Sequence, residues 1–329
     1  MSDQKILVIR FSSIGDIILA TSPLKSIRNH FPKAEITFLT LDDFSSILEF
    51  HPDIDRLVAL DKKKTLKDLW WFADFIKEQQ YSHIFDLHNS LRSNFILSRI
   101  NSEIRQVKKP RWHRFKLFHF HQDDFPKNFS TQWMYHSFLG DVWQDGDPIP
   151  ETSLFVSQHE TCSVHDRFNL PNSFVVIVPG AAWTQKQWPI NQYHKLIKNL
   201  DIPVVLLGSR KDKICFKIQK ESPTVLNLAG KTSLREALVI LKLSQWVVGS
   251  DTGLVHAAEA LGKSVSMILG PTSKKTGGGT SLTSSVMVEK DIWCRPCSQN
   301  GKRPCYRSEQ FCMNGITVND VAESIQIES

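Results

Sequence analysis

The 329-residue chain contains no apolar run approaching the ~18 residues that a membrane-spanning helix requires. Its N-terminus offers only Ile6-Leu7-Val8-Ile9 before Arg10, which reads as a strand. A secretory signal would have a longer apolar region and a small-residue cleavage site, so the protein is expected in the cytoplasm. No stretch carries the spacing of a zinc finger, a helix-turn-helix or an RNA-binding sheet, which argues against a nucleic-acid partner. The turn after the first apolar run has one glycine, Gly15, where a dinucleotide fingerprint needs three. NAD or FAD is therefore not expected there. Between Arg105 and Lys116 carboxylates are missing altogether, while Arg105, Lys108, Lys109, Arg111, Arg114 and Lys116 are present. Such a stretch suits phosphates, or simply forms a solvated, solubilising loop.

The rest of the composition is ordinary. With 41 % hydrophobic and 22 % charged residues and a net charge of +6, the chain belongs to the globular class. Its length suits two domains, each with its own core. Two series of short Val/Ile-rich strands alternate with helical patterns. The first runs through Lys5–Phe11, Glu35–Thr40, Arg56–Leu60 and His83–Leu87. The second comprises Phe174–Val178, Pro203–Gly208, Val225–Leu228, Trp246–Gly249 and Ser264–Leu269. Helical spacing recurs in Ile190–Leu200, Lys211–Glu221 and Leu234–Leu243. This alternation predicts α/β structure with two doubly wound parallel sheets. The aromatic, polar stretch from about 123 to 170 breaks it, and the boundary is placed there, giving domains 1–168 and 169–329. Ligands of such sheets bind at the carboxyl ends of the strands, so a cleft between the domains is the expected site.

Three loops can carry chemistry. Ser12-Ser13-Ile14-Gly15-Asp16 follows the first strand and precedes a helix expected near Ile17. Asp16 there is either a helix cap or a general base. In the second domain, Pro179-Gly180-Ala181-Ala182 leads to Lys186-Gln187-Trp188-Pro189, with Pro189 expected as the first residue of a helix. Lys186 can hold a diphosphate as a point charge, or be an ordinary solvent-exposed lysine. The most informative run is Ser250-Asp251-Thr252-Gly253-Leu254-Val255-His256. A buried strand ends, Ser250 or Asp251 caps the next helix, and the helix amides and dipole can take a phosphate. His256 either donates to that ligand or is a satisfied structural histidine. Gly270-Pro271-Thr272 and Gly277-Gly278-Gly279 can close over the same group.

Four cysteines fall late, at Cys294, Cys297, Cys305 and Cys312. Their spacing admits a structural zinc site, although the second pair is wider than in a usual ribbon, and free thiols are the competing reading. Cys162 and Cys215 are expected to be packing residues.

Taken together, these motifs resemble the lipopolysaccharide heptosyltransferases of glycosyltransferase family 9. The resemblance spans nearly the whole chain. It rests on Lys5 to Asp16, on Asp86-Leu87-His88-Asn89-Ser90-Leu91-Arg92-Ser93, on Lys186 to Pro189, on Ser250 to His256, on Gly270-Pro271-Thr272 and on the tail ending in Cys312-Met313. It implies a GT-B architecture, two Rossmann-like domains facing a cleft, with the acceptor on the first and the sugar nucleotide on the second. The final helix is allowed to return to the first domain. The resemblance further implies inverting transfer of heptose from ADP-heptose to an inner-core lipopolysaccharide acceptor, with no cofactor and no divalent metal. Asp16 maps to the proposed base, with Ser13, Gly15, Gly180 and Ala182 in the surrounding loops. Lys186, Asp251, Thr252, Gly253, Leu254 and His256 map to the donor grip, and Lys108, Lys109 and Arg111 to an anionic glycolipid wall. The implied location is cytoplasmic, with peripheral contact to the inner membrane. Alternatives are transfer of another sugar, such as a hexosamine, or a catalytically silent nucleotide-sugar-binding protein.

Overall fold

A computed structural model describes residues 4–327 of the chain. The first compact unit runs to Lys109 and resumes from Thr131 to Phe155; the second comprises Pro110–Ser130 and the chain from Val156 onward. In the first part of the chain the elements are β1 (Lys5–Ile9), α1 (Ile14–Leu19), α2 (Thr21–His30), β2 (Glu35–Leu41), α3 (Asp42–Ser45) and β3 (Arg56–Leu60). There follow α4 (Leu66–Glu78), β4 (His83–Asp86), α5 (Leu91–Leu97), β5 (Glu103–Gln106), α6 (Arg111–Phe120) and α7 (Thr131–His136). The second series has α8 (Gln158–Phe168), β6 (Val175–Val178), α9 (Ile190–Lys198), β7 (Val204–Leu206), α10 (Lys213–Glu221), β8 (Leu226–Asn227) and α11 (Leu234–Leu243). It ends with β9 (Trp246–Ser250), α12 (Gly253–Ala260), β10 (Val265–Leu269), β11 (Val286–Glu289), α13 (Phe311–Asn314) and α14 (Val318–Ala322).

Both sheets are parallel. The first has the order β3-β2-β1-β4-β5 and the second β11-β10-β9-β6-β7-β8. Central strands such as Val175–Val178 and Trp246–Ser250 are buried along their whole length, which is why they read as uninterrupted apolar runs. The edge strands β5 (EIRQ) and β11 (VMVE) are only partly covered, and their mixed sequences hid them from the apolar pattern. Each fully covered Val, Leu, Ile or Phe contributes about 1.5–3 kcal/mol, so the cores centred on Leu7, Ile9 and Leu39 and on Val175, Ile177 and Val248 dominate the folding energy.

The chain passes into the second unit at Val156, ahead of the expected boundary after residue 168. The reason is α8: its Glu160 forms an ion pair with Arg235 of α11, at 2.6 Å from Nε. Helix α14 joins the core of its own unit, where Val318 and Val321 cluster with Tyr193 and Leu196 of α9.

Topology fixes where ligands can sit. Strand order reverses between β1 and β4 in the first sheet and between β6 and β9 in the second. Loops leaving those four strands diverge in opposite directions, opening a crevice at the carboxyl edge of each sheet. The register sets their approach: Ile9 lies opposite Asp86, and Val178 opposite Gly249. A Cβ on Gly249 would lie 2.8 Å from the Val178 carbonyl oxygen, so glycine is what lets β9 run this close to β6 where the crevice opens.

Candidate functional site

In the first unit the crevice is lined by the loop after β1. Helix α1 starts at Ile14, three residues before the expected start near Ile17, with Ser13 as its N-cap and Asp16 in its first turn. Asp16 Oδ2 accepts from the Ser13 amide at 3.2 Å and from the Ser13 hydroxyl at 2.8 Å. The same oxygen faces Arg10 at 2.9 Å, and Tyr135 Oη reaches Oδ1 at 3.5 Å. Asp16 is thus both a capping residue and one half of an ion pair. Arg10 is buried and also donates to the Leu87 carbonyl at 2.6 Å, which ties the β1 loop to the β4 loop. Burial alone would raise the Asp16 pKa, but the Arg10 charge and the Ser13 hydrogen bonds outweigh it and hold the carboxyl below its usual range. His88, edge-on to Phe11 at 5.3 Å, is pushed down to about 4 by burial, Arg10 and Lys109. It is neutral at pH 7. Arg10, His88 and Tyr135 were not singled out from sequence; the available signal was an arginine directly after an apolar strand and before a Ser-Ser-Ile-Gly-Asp loop.

The second unit has a more tightly built crevice. Lys186 closes a short 3-10 turn after β6, and Asp251 follows directly on β9. Lys186 Nζ lies 2.9 Å from Asp251 Oδ2 and also donates to the Asp251 carbonyl. His256 Nε2 lies 3.0 Å from the other carboxylate oxygen. All three side chains are nearly covered, at 12 %, 14 % and 8 % exposure. The solvent-exposed alternative for Lys186 therefore fails. The N-cap of α12 is Thr252, not Ser250 or Asp251, because Asp251 is committed to Lys186 and His256, while Ser250 donates to the Lys186 carbonyl. No side chain caps the first amides of α12. Among the described residues, the buried Thr252 Oγ1, His256 Nδ1 and Thr272 Oγ1 have no hydrogen-bond partner. Buried polar atoms of this kind are normally satisfied, and these three lie on the segments that follow β9 and β10, Thr252 and His256 at the start of α12 and Thr272 in the next loop.

Electrostatics reinforce this arrangement. Burial would raise the Asp251 pKa, yet hydrogen bonding to His256 and the Lys186 charge drive it well below the usual carboxylate range. For His256, burial would lower the pKa, but Asp251 and then Glu259 reverse the sign and hold it above its ordinary 6.5. An ionised carboxylate only accepts, so Nε2 carries a proton; on protonation Nδ1 becomes a second donor. A raised histidine pKa stabilises the fold fully below the unfolded value and loses that contribution as pH rises through the folded one. The melting-temperature gap between the wild type and His256→Gln is accordingly expected to be widest near pH 6 and to shrink toward about pH 9. A gap that does not change with pH would show that folding leaves the histidine pKa unshifted, and one that widens as pH rises would show the histidine held neutral.

Residues 70–306 match the family model described as Glycosyltransferase family 9 (heptosyltransferase), well over half of the chain. The chain belongs to glycosyltransferase family 9. It is 26 % identical over 293 residues to lipooligosaccharide heptosyltransferase 2 of Haemophilus influenzae, covering 82 % of this chain and 84 % of that protein. The fold is shared with E. coli ADP-heptose lps heptosyltransferase II, with a TM-score of 0.75 at 22 % identity, over 98 % of this chain and 97 % of that one. It is also shared with E. coli heptosyltransferase WaaC with ADP-2-deoxy-2-fluoro heptose, with a TM-score of 0.67 at 17 % identity, over 97 % and 98 % of the two chains. The two doubly wound units are thus the GT-B architecture, and the protein is a glycosyltransferase.

Gly15 is in the first turn of α1. Gly180 lies where a Cβ would meet Asp212, whose carboxylate instead caps the Ser209 turn at 2.6 Å, and Ala182 is exposed in the loop before Lys186. Gly253 and Leu254 open α12 and are partly exposed. The basic stretch is not one free surface. Arg105 pairs with Glu103, Lys116 pairs with Asp124, and Lys109 donates to the Asn89 carbonyl at 3.4 Å. Lys108 is exposed in the first unit, whereas Arg111 opens α6, which groups with the second, so the three proposed acceptor residues do not share a unit. The cysteines are free thiols; Cys294, Cys312 and Cys215 are buried, and Cys162 is exposed rather than packed. Among the described residues, no group of three or more His, Cys, Asp or Glu is arranged to hold a metal ion. Among them, too, no helix is long and apolar enough to cross a membrane.

Proposed function

We propose that the protein transfers heptose from ADP-heptose to an inner-core lipopolysaccharide acceptor, with inversion and without a divalent metal. The observation that carries this reading is the buried Lys186–Asp251–His256 group beside the uncapped start of α12. A lysine ammonium has three donors, and two are directed at Asp251; the third remains for a diphosphate oxygen. The α12 amides, the Thr252 and Thr272 hydroxyls and His256 Nδ1 supply further donors. Together they stabilise the charge that develops on the departing ADP, the work a divalent ion does in other glycosyltransferases.

The acceptor hydroxyl oxygen attacks the anomeric carbon from the face opposite the diphosphate. The bond from that carbon to the diphosphate oxygen breaks, and Asp16 takes the hydroxyl proton. Its low pKa keeps Asp16 ionised at neutral pH, as a base must be. Lys108 and Lys109 are the proposed contacts to acceptor phosphates. The enzyme works at the cytoplasmic face of the inner membrane, where both substrates meet.

Incubation with ADP-heptose is expected to protect the protein against heating and, with acceptor, to give a product one heptose heavier that forms equally in EDTA. Protection by a UDP-hexosamine instead would move the activity to another sugar. Protection without turnover would leave a nucleotide-sugar-binding protein.

A further inference from the structure

Large apolar side chains lie open to solvent around the N-terminal ends of α4 and α5: Leu66 at 73 %, Trp71 at 66 %, Trp70 at 49 % and Leu91 at 92 %. The packing of α4 explains why they are outside. Its buried stripe is Leu69, Ala73 and Ile76, and Trp71 lies on the opposite side of the helix. Leu66 and Trp70 fall on the flank toward α5, where the Arg99 guanidinium sits 3.9 Å from the Trp70 ring centroid and Phe95 lies 6.3 Å away. Leu91 is one turn ahead of Phe95, as Leu66 is one turn ahead of Trp70. Arg92 donates to the Lys62 carbonyl at 3.1 Å and so ties the start of α5 to the loop before α4. The result is one edge shared by two helices.

That edge is also basic. Lys62, Lys63, Lys64 and Lys67 are all exposed. The two carboxylates among them are engaged locally: Asp61 accepts from the Lys63 amide at 2.7 Å, and Asp68 closes the capping box with Thr65 at 2.9 and 2.8 Å. Contiguous exposed apolar groups mark an interaction surface, and tryptophans flanked by lysines suit one kind above others. Indole rings settle at the headgroup level of a bilayer, while lysine stems follow the apolar surface and place their ammonium groups on lipid phosphates. A protein partner would draw its energy from the rings and would not call for four lysines around them.

We infer that the α4–α5 edge docks the enzyme onto a membrane surface rich in anionic lipid, with Leu66, Trp71 and Leu91 entering the headgroup layer and the lysines pairing with phosphates. The inference rests on the proposed reaction for its purpose, since there the acceptor is a lipid, but not for its test.

The test is sedimentation of the full-length protein with vesicles of phosphatidylcholine alone or with about one-third phosphatidylglycerol. Binding is expected only to the anionic vesicles and should weaken with salt. Changing Lys62, Lys63, Lys64 and Lys67 to Gln should lower partitioning by more than 100-fold, roughly fivefold for each lysine. Leu66→Ser with Trp71→Ser should lower it at least about tenfold. Both variants should keep the wild-type melting temperature and ADP-heptose affinity. Binding that neither variant weakens would overturn the proposal. So would absence of vesicle binding, or a dimer of the free protein that Leu66→Ser and Trp71→Ser dissolve. Loss of ADP-heptose binding in the wild type would sink the proposed reaction and leave the membrane result standing.

Discussion

Exchanging Asp16 for asparagine is expected to lower kcat by about 10²–10⁴-fold while ADP-heptose still binds with nearly wild-type affinity. The variant separates the two jobs that Asp16 holds. Asparagine keeps an oxygen able to accept from the Ser13 amide and hydroxyl, so the start of α1 survives. What disappears is the negative charge, and with it the capacity to take a proton. The cost to stability falls on Arg10, which is 7 % exposed and would lose its ion pair while keeping the Leu87 carbonyl, the face of Tyr135 and the Asp86 charge. Because Asp16 itself is 38 % exposed, water already screens part of the pair, and a loss of about 1–3 kcal/mol is expected rather than the full value of a buried bridge. Steady-state kinetics, calorimetric donor titration and a thermal melt measure the three quantities. A kcat within a few-fold of wild type, or a donor affinity that falls as far as kcat, would return Asp16 to the role of cap and partner to Arg10.

Legibility from the sequence followed burial. Strands covered on both faces, such as Val175–Val178 and Trp246–Ser250, were visible because both faces demand apolar residues. The edge strands β5 and β11 were not, since their open sides admit Arg105, Gln106 and Glu289, whereas the edge strand β3 keeps the apolar run Leu57 to Leu60 and was visible. Helix starts were read one to three residues late or early for a related reason. Ser13 caps α1 and Thr252 caps α12, where Asp16 and Ser250 or Asp251 were the capping candidates, and Pro189 sits one residue ahead of α9 rather than as its first residue. At the site, sequence could supply the residues but not their pairing. Lys186 and Asp251 are 65 positions apart, and only the parallel alignment of β6 with β9 brings their loops together. Arg10 was missed because a charged residue after a strand ordinarily faces water; here two polar loops converge on it and make burial tolerable. The α4 patch drew no reading from the sequence, because exposure of Leu66 and Trp71 depends on which face of the helix the core covers.

Lys186→Ala is expected to reduce kcat/KM for the donor by about 10²–10³-fold, the usual consequence of removing one fixed donor from a developing anion. Part of the effect should appear in donor affinity, because the diphosphate is charged in the ground state as well. The remainder should appear in kcat, because charge on the leaving oxygen grows only as the glycosidic bond breaks. The substitution also leaves Asp251 nearly covered with His256 as its remaining partner, and Gly301, whose backbone packs against the Lys186 stem, beside an empty space. Loss of fold is therefore the competing explanation, and two controls meet it. Lys186→Arg keeps the charge but not the compact ammonium geometry, so it should fold and recover donor binding more fully than kcat. Lys186→Met keeps most of the stem and should resemble Lys186→Ala in rate while melting nearer to wild type. If the methionine variant turns over donor at close to the wild-type rate, the lysine serves only to neutralise Asp251, and stabilisation of the leaving diphosphate must come from the α12 amides and His256.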